Sequence, residues 1–123
     1  MFYVEQLGER GISMSITMNL YYTGTNGSAR KFAEEMIASG TVDAIRAEPG
    51  SLRYEYFFPM NDPETVLLID SWASQDAIDA HHASPMMQTI AELRSKYDLH
   101  MRAERYVSDE GGVSEKDQAF LRK

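Results

Sequence analysis

The strongest constraint on this chain is the run Thr65 to Trp72, Thr-Val-Leu-Leu-Ile-Asp-Ser-Trp, in which apolar residues stand at both odd and even positions. Its length and β-branched content mark a strand, and in a strand successive side chains leave opposite faces. Val66 and Leu68 therefore point one way and Leu67 and Ile69 the other, so the sheet that contains them has to be covered on both sides. Just upstream, Asn61-Asp62-Pro63-Glu64 is a turn signal. Before it, Ser51 to Phe58 alternates, with Leu52, Tyr54, Tyr56 and Phe58 on one face and Arg53, Glu55 and Phe57 on the other. These two strands are expected to form a hairpin.

Met14 to Tyr22 is a third strand-like stretch, rich in β-branched and aromatic residues, and it runs into the turn Thr23 to Gly27. From Ser28, a plausible N-cap, Ala29, Phe32, Ala33, Met36 and Ile37 recur at helical spacing. The helix is interrupted near Ser39-Gly40, resumes through Val42, Ala44 and Ile45, and stops at Glu48-Pro49-Gly50. Ser74 is placed to cap a second helix with Asp76 in its first turn. Ser84-Pro85 divides that helix, and Met86, Met87, Ile90 and Leu93 carry its apolar face onward. Leu99 to Val107 is the last strand. Residues 14–108 thus form one compact domain, with residues 1–13 as an N-terminal extension and 109–123 as a tail. In the tail, Ser114 with Asp117 signals a cap, and Phe120-Leu121 either docks as a helical turn or belongs to a frayed end.

Strand, helix, strand, strand, helix, strand is the order of the ferredoxin-like unit, an α+β fold with two helices on one face of an antiparallel sheet. Two helices cover one face only, so the apolar residues on the other call for a second copy of the sheet and a homodimer. A hydrophobic content of 43% in 123 residues suits one core. With no cysteine there is no disulfide framework, thiolate nucleophile or Cys-based metal site, which agrees with a cytoplasmic location. The net charge of −7 opposes a phosphate backbone and argues against nucleic acid. The longest apolar stretch, Val66 to Ile69, is far too short to span a membrane, and residues 1–11 lack the form of a secretory signal.

The segment Trp72 to Met87 is the least generic part of the sequence. It presents a strand-ending Trp, a short polar cap, an Ala-aliphatic step, a helical His and a small-residue-Pro break before another helix. With Glu48-Pro49-Gly50 leading into an aromatic strand, it resembles the antibiotic biosynthesis monooxygenase family, and the resemblance extends over roughly Ser15 to Val107. The resemblance implies a dimeric α/β-barrel built from two ferredoxin-like sheets. It also implies, for some members, oxidation of quinol-like aromatics by O2 without flavin, haem or metal. Other members isomerise small phosphorylated sugars or degrade haem.

His81 matches the family's helical histidine, nine residues after Trp72 and four before Pro85, and is the expected general base. Many quinol-oxidising relatives place a second His directly after that Pro, where this chain has Met86. Haem is disfavoured, because His81 stands where the haem-degrading branch has Trp and Ala91 lies near that branch's later His. His82 adds an imidazole, but helical neighbours diverge by about 100°, so one small pocket is not expected to receive both side chains directly. Asn19 resembles a strand-one Asn of several members that would hydrogen-bond substrate oxygen or dioxygen. Trp72, Tyr54, Tyr56, His82 and Met86 are expected to line the pocket, the tyrosines offering phenol donors beside aromatic walls. For each of these residues, plain core packing or an outward-facing position is the competing reading. No ligand set for a metal and no phosphate-binding loop is evident, so no cofactor is expected. An isomerase, with Arg53, Arg102 or Arg105 gripping a phosphate, and a non-catalytic ligand-binding dimer are the alternatives to an oxygenase.

Overall fold

The computed structural model describes residues 14–122. The expected N-terminal extension, residues 1–13, lies outside them. The order is β1 (Ile16–Thr23), α1 (Ser28–Ala38), α2 (Thr41–Arg46), β2 (Ser51–Phe57), β3 (Thr65–Trp72), α3 (Gln75–His82), α4 (Met86–Lys96), β4 (His100–Val107) and a short α5 (Glu115–Gln118). The strands form one antiparallel sheet in the order β2-β3-β1-β4, with helices on one face, which is the ferredoxin-like α+β architecture.

Register partners share a face, so the sheet has a helix side and an open side. Ile16, Met18, Leu20 and Tyr22 of β1 lie level with Trp72, Asp70, Leu68 and Val66 of β3 on the helix side. There they meet Ala29, Phe32, Ala33 and Met36 of α1 and Val42 and Ile45 of α2, and all of these helix residues are buried. On the open side, Tyr21 lies level with Leu67 and Leu67 with Phe57, while Ile69 stands next along β3. Leu67 and Ile69 are only half-buried there and Phe57 is 37% exposed. The double-faced pattern of β3 thus leaves an apolar stripe that the helices among the described residues do not reach.

Local signals differ from expectation in three places. Ser28 lies inside α1, whose N-cap is Gly27 at φ 79°, because Glu64 takes the turn's free N–H groups, from Asn26 at 2.9 Å and Gly27 at 2.8 Å. Leu52 does not join the Tyr54 and Tyr56 row, because a bulge between Ser51 and Arg53 turns it outward, 59% exposed. The expected break between α3 and α4 is present, but Pro85 rather than Ser84 holds the cap position of α4. In the tail the capped turn forms, Ser114 Oγ accepting from Asp117 N at 3.1 Å, yet Phe120 stays 85% exposed.

Candidate functional site

Where α3 and α4 stand off the sheet they leave a cavity of about 270 Å³. Its floor is sheet: Met18, Leu20 and Tyr22 of β1, Tyr54 of β2, and Leu68, Asp70 and Trp72 of β3. Ile78 and His81 of α3, with Met87, Ile90 and Arg94 of α4, close it from above. Gln75, His82, Met101 and Arg105 are exposed and form its rim beside β4.

Ser74 caps α3 through its Oγ, accepting from Ala77 N at 3.2 Å, and so fixes where the helix starts and where its last turn places His81. The His81 imidazole is 5% exposed and stacks on Trp72, ring centroids 4.7 Å apart with the planes at 27°. Its Nδ1 lies 2.7 Å from Glu48 Oε2. Glu48 reaches it because the loop ending at Gly50 lies hard against α3. Gly50 sits at φ 84°, its carbonyl accepts from Ala73 N at 2.8 Å, and a Cβ there would stand 2.6 Å from the Ala77 Cβ. A carboxylate only accepts, so with Nδ1–H donating to it a neutral His81 keeps its lone pair on Nε2. Gly50→Ala should therefore cost about 1–3 kcal/mol, from the positive φ and from pushing α3 away, and should weaken activity with it. Denaturant unfolding beside a rate measurement checks this; an unchanged midpoint would mean that the close approach does not position His81.

Asp70 is the residue that sequence reasoning missed. It is 6% exposed, Trp72 Nε1 donates to its Oδ2 at 3.1 Å, and its Oδ1 has no partner among the described residues. Burial pushes its carboxyl above the usual aspartate range, only partly offset by the indole N–H and the nearby histidines. An acid whose pKa is raised by folding loses stability as pH climbs from the unfolded value, about 3.9, through the folded one. Asp70→Asn, which keeps an acceptor for the indole, should therefore gain stability over the parent at about pH 7, and the gain should vanish by about pH 3. Urea unfolding at the two pH values tests it, and an equal difference at both would refute the sign. Burial also pushes Tyr22 up to about 12 and Tyr54 well above its ordinary value, so both line the cavity as neutral phenols.

The sequence profile described as "Antibiotic biosynthesis monooxygenase" matches residues 15–93. The chain belongs to the antibiotic biosynthesis monooxygenase family. No match is found among the curated proteins. Among solved structures it is similar to PA3566 from Pseudomonas aeruginosa, at 20% identity and TM-score 0.68, over 79% of this chain and 96% of that one. A candidate antibiotic biosynthesis monooxygenase from Deinococcus radiodurans gives 17% identity and TM-score 0.68, over 77% and 93%. SnoaB of Streptomyces nogalater, described as a cofactor-independent oxygenase, gives 14% and 0.64, over 78% and 94%. At such identities these likenesses show the fold.

Of the residues that family resemblance and sequence suggested, His81, His82, Trp72 and Tyr54 come together around the cavity. Both histidines line it after all: His81 is inside and His82 at the rim, ring centroids 5.8 Å apart. Three expected residues fall elsewhere. Asn19 lies level with Ile69 and Glu104 on the open side of the sheet, because the strand's two-residue period gives the helix side to Met18 and Leu20. Tyr56 packs on the core edge-on to Phe32 and Tyr54 and does not line the cavity, although its register partner Leu68 does. Met86 packs against the core while Met87 lines the cavity, a one-residue rotation about α4. Arg53 and Arg102 pair with Glu55 and Glu104 on the open side, so of the three arginines considered only Arg105 reaches this cavity. Among the described residues no three His, Asp or Glu side chains converge as a metal site, and no helix is long and apolar enough to cross a membrane.

Proposed function

We propose that this family member is a cofactor-independent monooxygenase that oxidises a small quinol-like aromatic with O2, His81 acting as general base. The observation that carries the reading is the Glu48–His81 pair, which holds a basic nitrogen at a largely apolar cavity. Nε2 takes a phenolic proton, and the resulting anion is electron-rich enough to reduce O2 directly. A ring carbon ortho to the anionic oxygen forms the new C–O bond, giving a hydroperoxide. Loss of that carbon's remaining hydrogen with cleavage of the O–O bond releases water and leaves a carbonyl. The sum is quinol plus O2 giving hydroxyquinone plus water, with one oxygen atom in each product. Because the substrate supplies all the electrons, no flavin, haem or metal is required, and the description of SnoaB as a cofactor-independent oxygenase supports that chemistry in this fold. The test is oxygen uptake above the uncatalysed rate with 1,4-dihydroxynaphthalene, before and after dialysis against a chelator, with labelled O2 placing one labelled atom in the product. No uptake in the parent protein would hand the cavity to the isomerase or binding alternatives, and uptake only with added flavin would end the cofactor-free reading.

We propose also that the protein works as a homodimer through the open side of its sheet. The half-buried Leu67 and Ile69 beside exposed Phe57 support this, since a continuous apolar stripe on a small domain costs solubility unless covered. Light scattering should give twice the chain mass of 14.0 kDa at micromolar concentration, and Ile69→Lys should give a monomer or an unfolded chain. A parent protein that scatters as a monomer would overturn it.

A further inference from the structure

The cavity carries two features that the general base leaves unused. Deep inside, Asp70 Oδ1 is buried and lacks a partner among the described residues. Two guanidinium groups also line it, Arg94 of α4 in its roof and Arg105 of β4 at its rim. Three other bases are matched to acids: Arg53 with Glu55, Arg102 with Glu104, Lys96 with Glu35. Arg94 and Arg105 have no carboxylate within ion-pair distance among the described residues. Arg94 Nη1 donates to Met101 Sδ at 3.0 Å, a weak acceptor, and Arg105 Nη1 donates to the neutral Gln75 Oε1 at 2.9 Å. In a chain with 19 acidic and 12 basic side chains, two guanidinium groups that line one cavity with no carboxylate partner among the described residues are free to pair with an outside anion. Both lie beyond residues 15–93, so they are outside the part of the chain that the family profile matches.

Register sets the spacing of these features. Tyr54, Asp70, Met18 and Arg105 are partners in one row across the four strands. At about 4.8 Å per strand, the Asp70 and Arg105 backbones lie about 10 Å apart with Met18 between them. A ring laid over Met18 would have the acid and His81 at one end and Arg105 at the other, with Arg94 reaching in from the side of Met101, the register partner of Tyr22. The volume, about 270 Å³, is just below the range of about 300–1,000 Å³ usual for drug-sized ligands, and suits one or two rings.

We propose that the cavity's ligand is a hydroxylated aromatic carboxylate whose carboxylate lies between Arg94 and Arg105 and whose hydroxyl donates to Asp70 Oδ1. This rests on the reading of the cavity as the substrate site, and it names the substrate's chemical class. Calorimetric titration of the parent with 6-hydroxy-2-naphthoate, its methyl ester and 2-naphthoate tests it without turnover. The acid should bind about 10- to 100-fold tighter than the ester, the advantage of a charge-assisted contact. Arg94→Gln and Arg105→Gln should each cut that preference several-fold, and Asp70→Asn should narrow the gap between the hydroxylated acid and 2-naphthoate. Equal binding of acid and ester, an acid preference indifferent to both arginine variants, or no binding of any of the three overturns the proposal. Oxygen uptake with neutral quinols is measured separately: if it persists while acid and ester bind alike, the oxygenase reading survives and this one falls. If the acid binds through the arginines and no quinol consumes oxygen, the reverse holds.

Discussion

His81→Ala is expected to lower quinol turnover about 100- to 10,000-fold, the usual contribution of a positioned general base, while His82→Ala leaves most of the rate. The asymmetry follows from geometry. His81 is buried with Nδ1 committed to Glu48, and His82 is exposed at the rim. Glu48→Gln should fall between the two, with kcat reduced and KM little changed, because Glu48 holds His81, the proposed base, without lining the cavity. Removing a ring that stacks on Trp72 also costs stability, so circular dichroism, mass in solution and melting temperature have to be recorded with each rate. A folded His81→Ala with full activity, or a damaging His82→Ala, would remove His81 from the base's role.

Much of this architecture is legible in the sequence because it depends on period. The strand runs of β1 and β3, the helical spacing of Phe32, Ala33 and Met36, and the turn at Asn61 to Glu64 are local signals, and each element lies within a few residues of its expected place. What the sequence does not show depends on phase and on distant approach. Asn19 and Met86 each sit one residue from a position that reaches the cavity, and a strand or helix pattern with apolar residues on both sides leaves the phase undetermined. The partnership of Glu48 with His81 spans 33 residues and depends on Gly50 meeting Ala77, a contact with no local signature. Asp70 was open to notice: a lone acid at a parity otherwise held by Val66, Leu68 and Trp72 is a charge directed into a core.

Trp72 joins fold and site, and Trp72→Ala should be the most destabilising of these changes, by about 3–5 kcal/mol. Its ring is fully buried, it stacks on His81, and its Nε1 donates to Asp70 Oδ2. Truncation would open a void under α3 and take from a buried carboxyl its indole donor, two costs that act together. Against a typical total stability of about 5–15 kcal/mol, such a loss brings the chain close to unfolding at ordinary temperature. Trp72→Phe separates the two contributions, because it keeps most of the apolar volume and removes only the indole N–H. It should cost clearly less stability than alanine while still disturbing Asp70. Trp72 is the only tryptophan, so unfolding has to be followed by circular dichroism rather than by its fluorescence. If Trp72→Ala unfolds at the parent's denaturant midpoint, the ring is not a structural support of the cavity. If Trp72→Phe proves as damaging as alanine, the bond to Asp70, more than the ring's volume, holds this end of the cavity together.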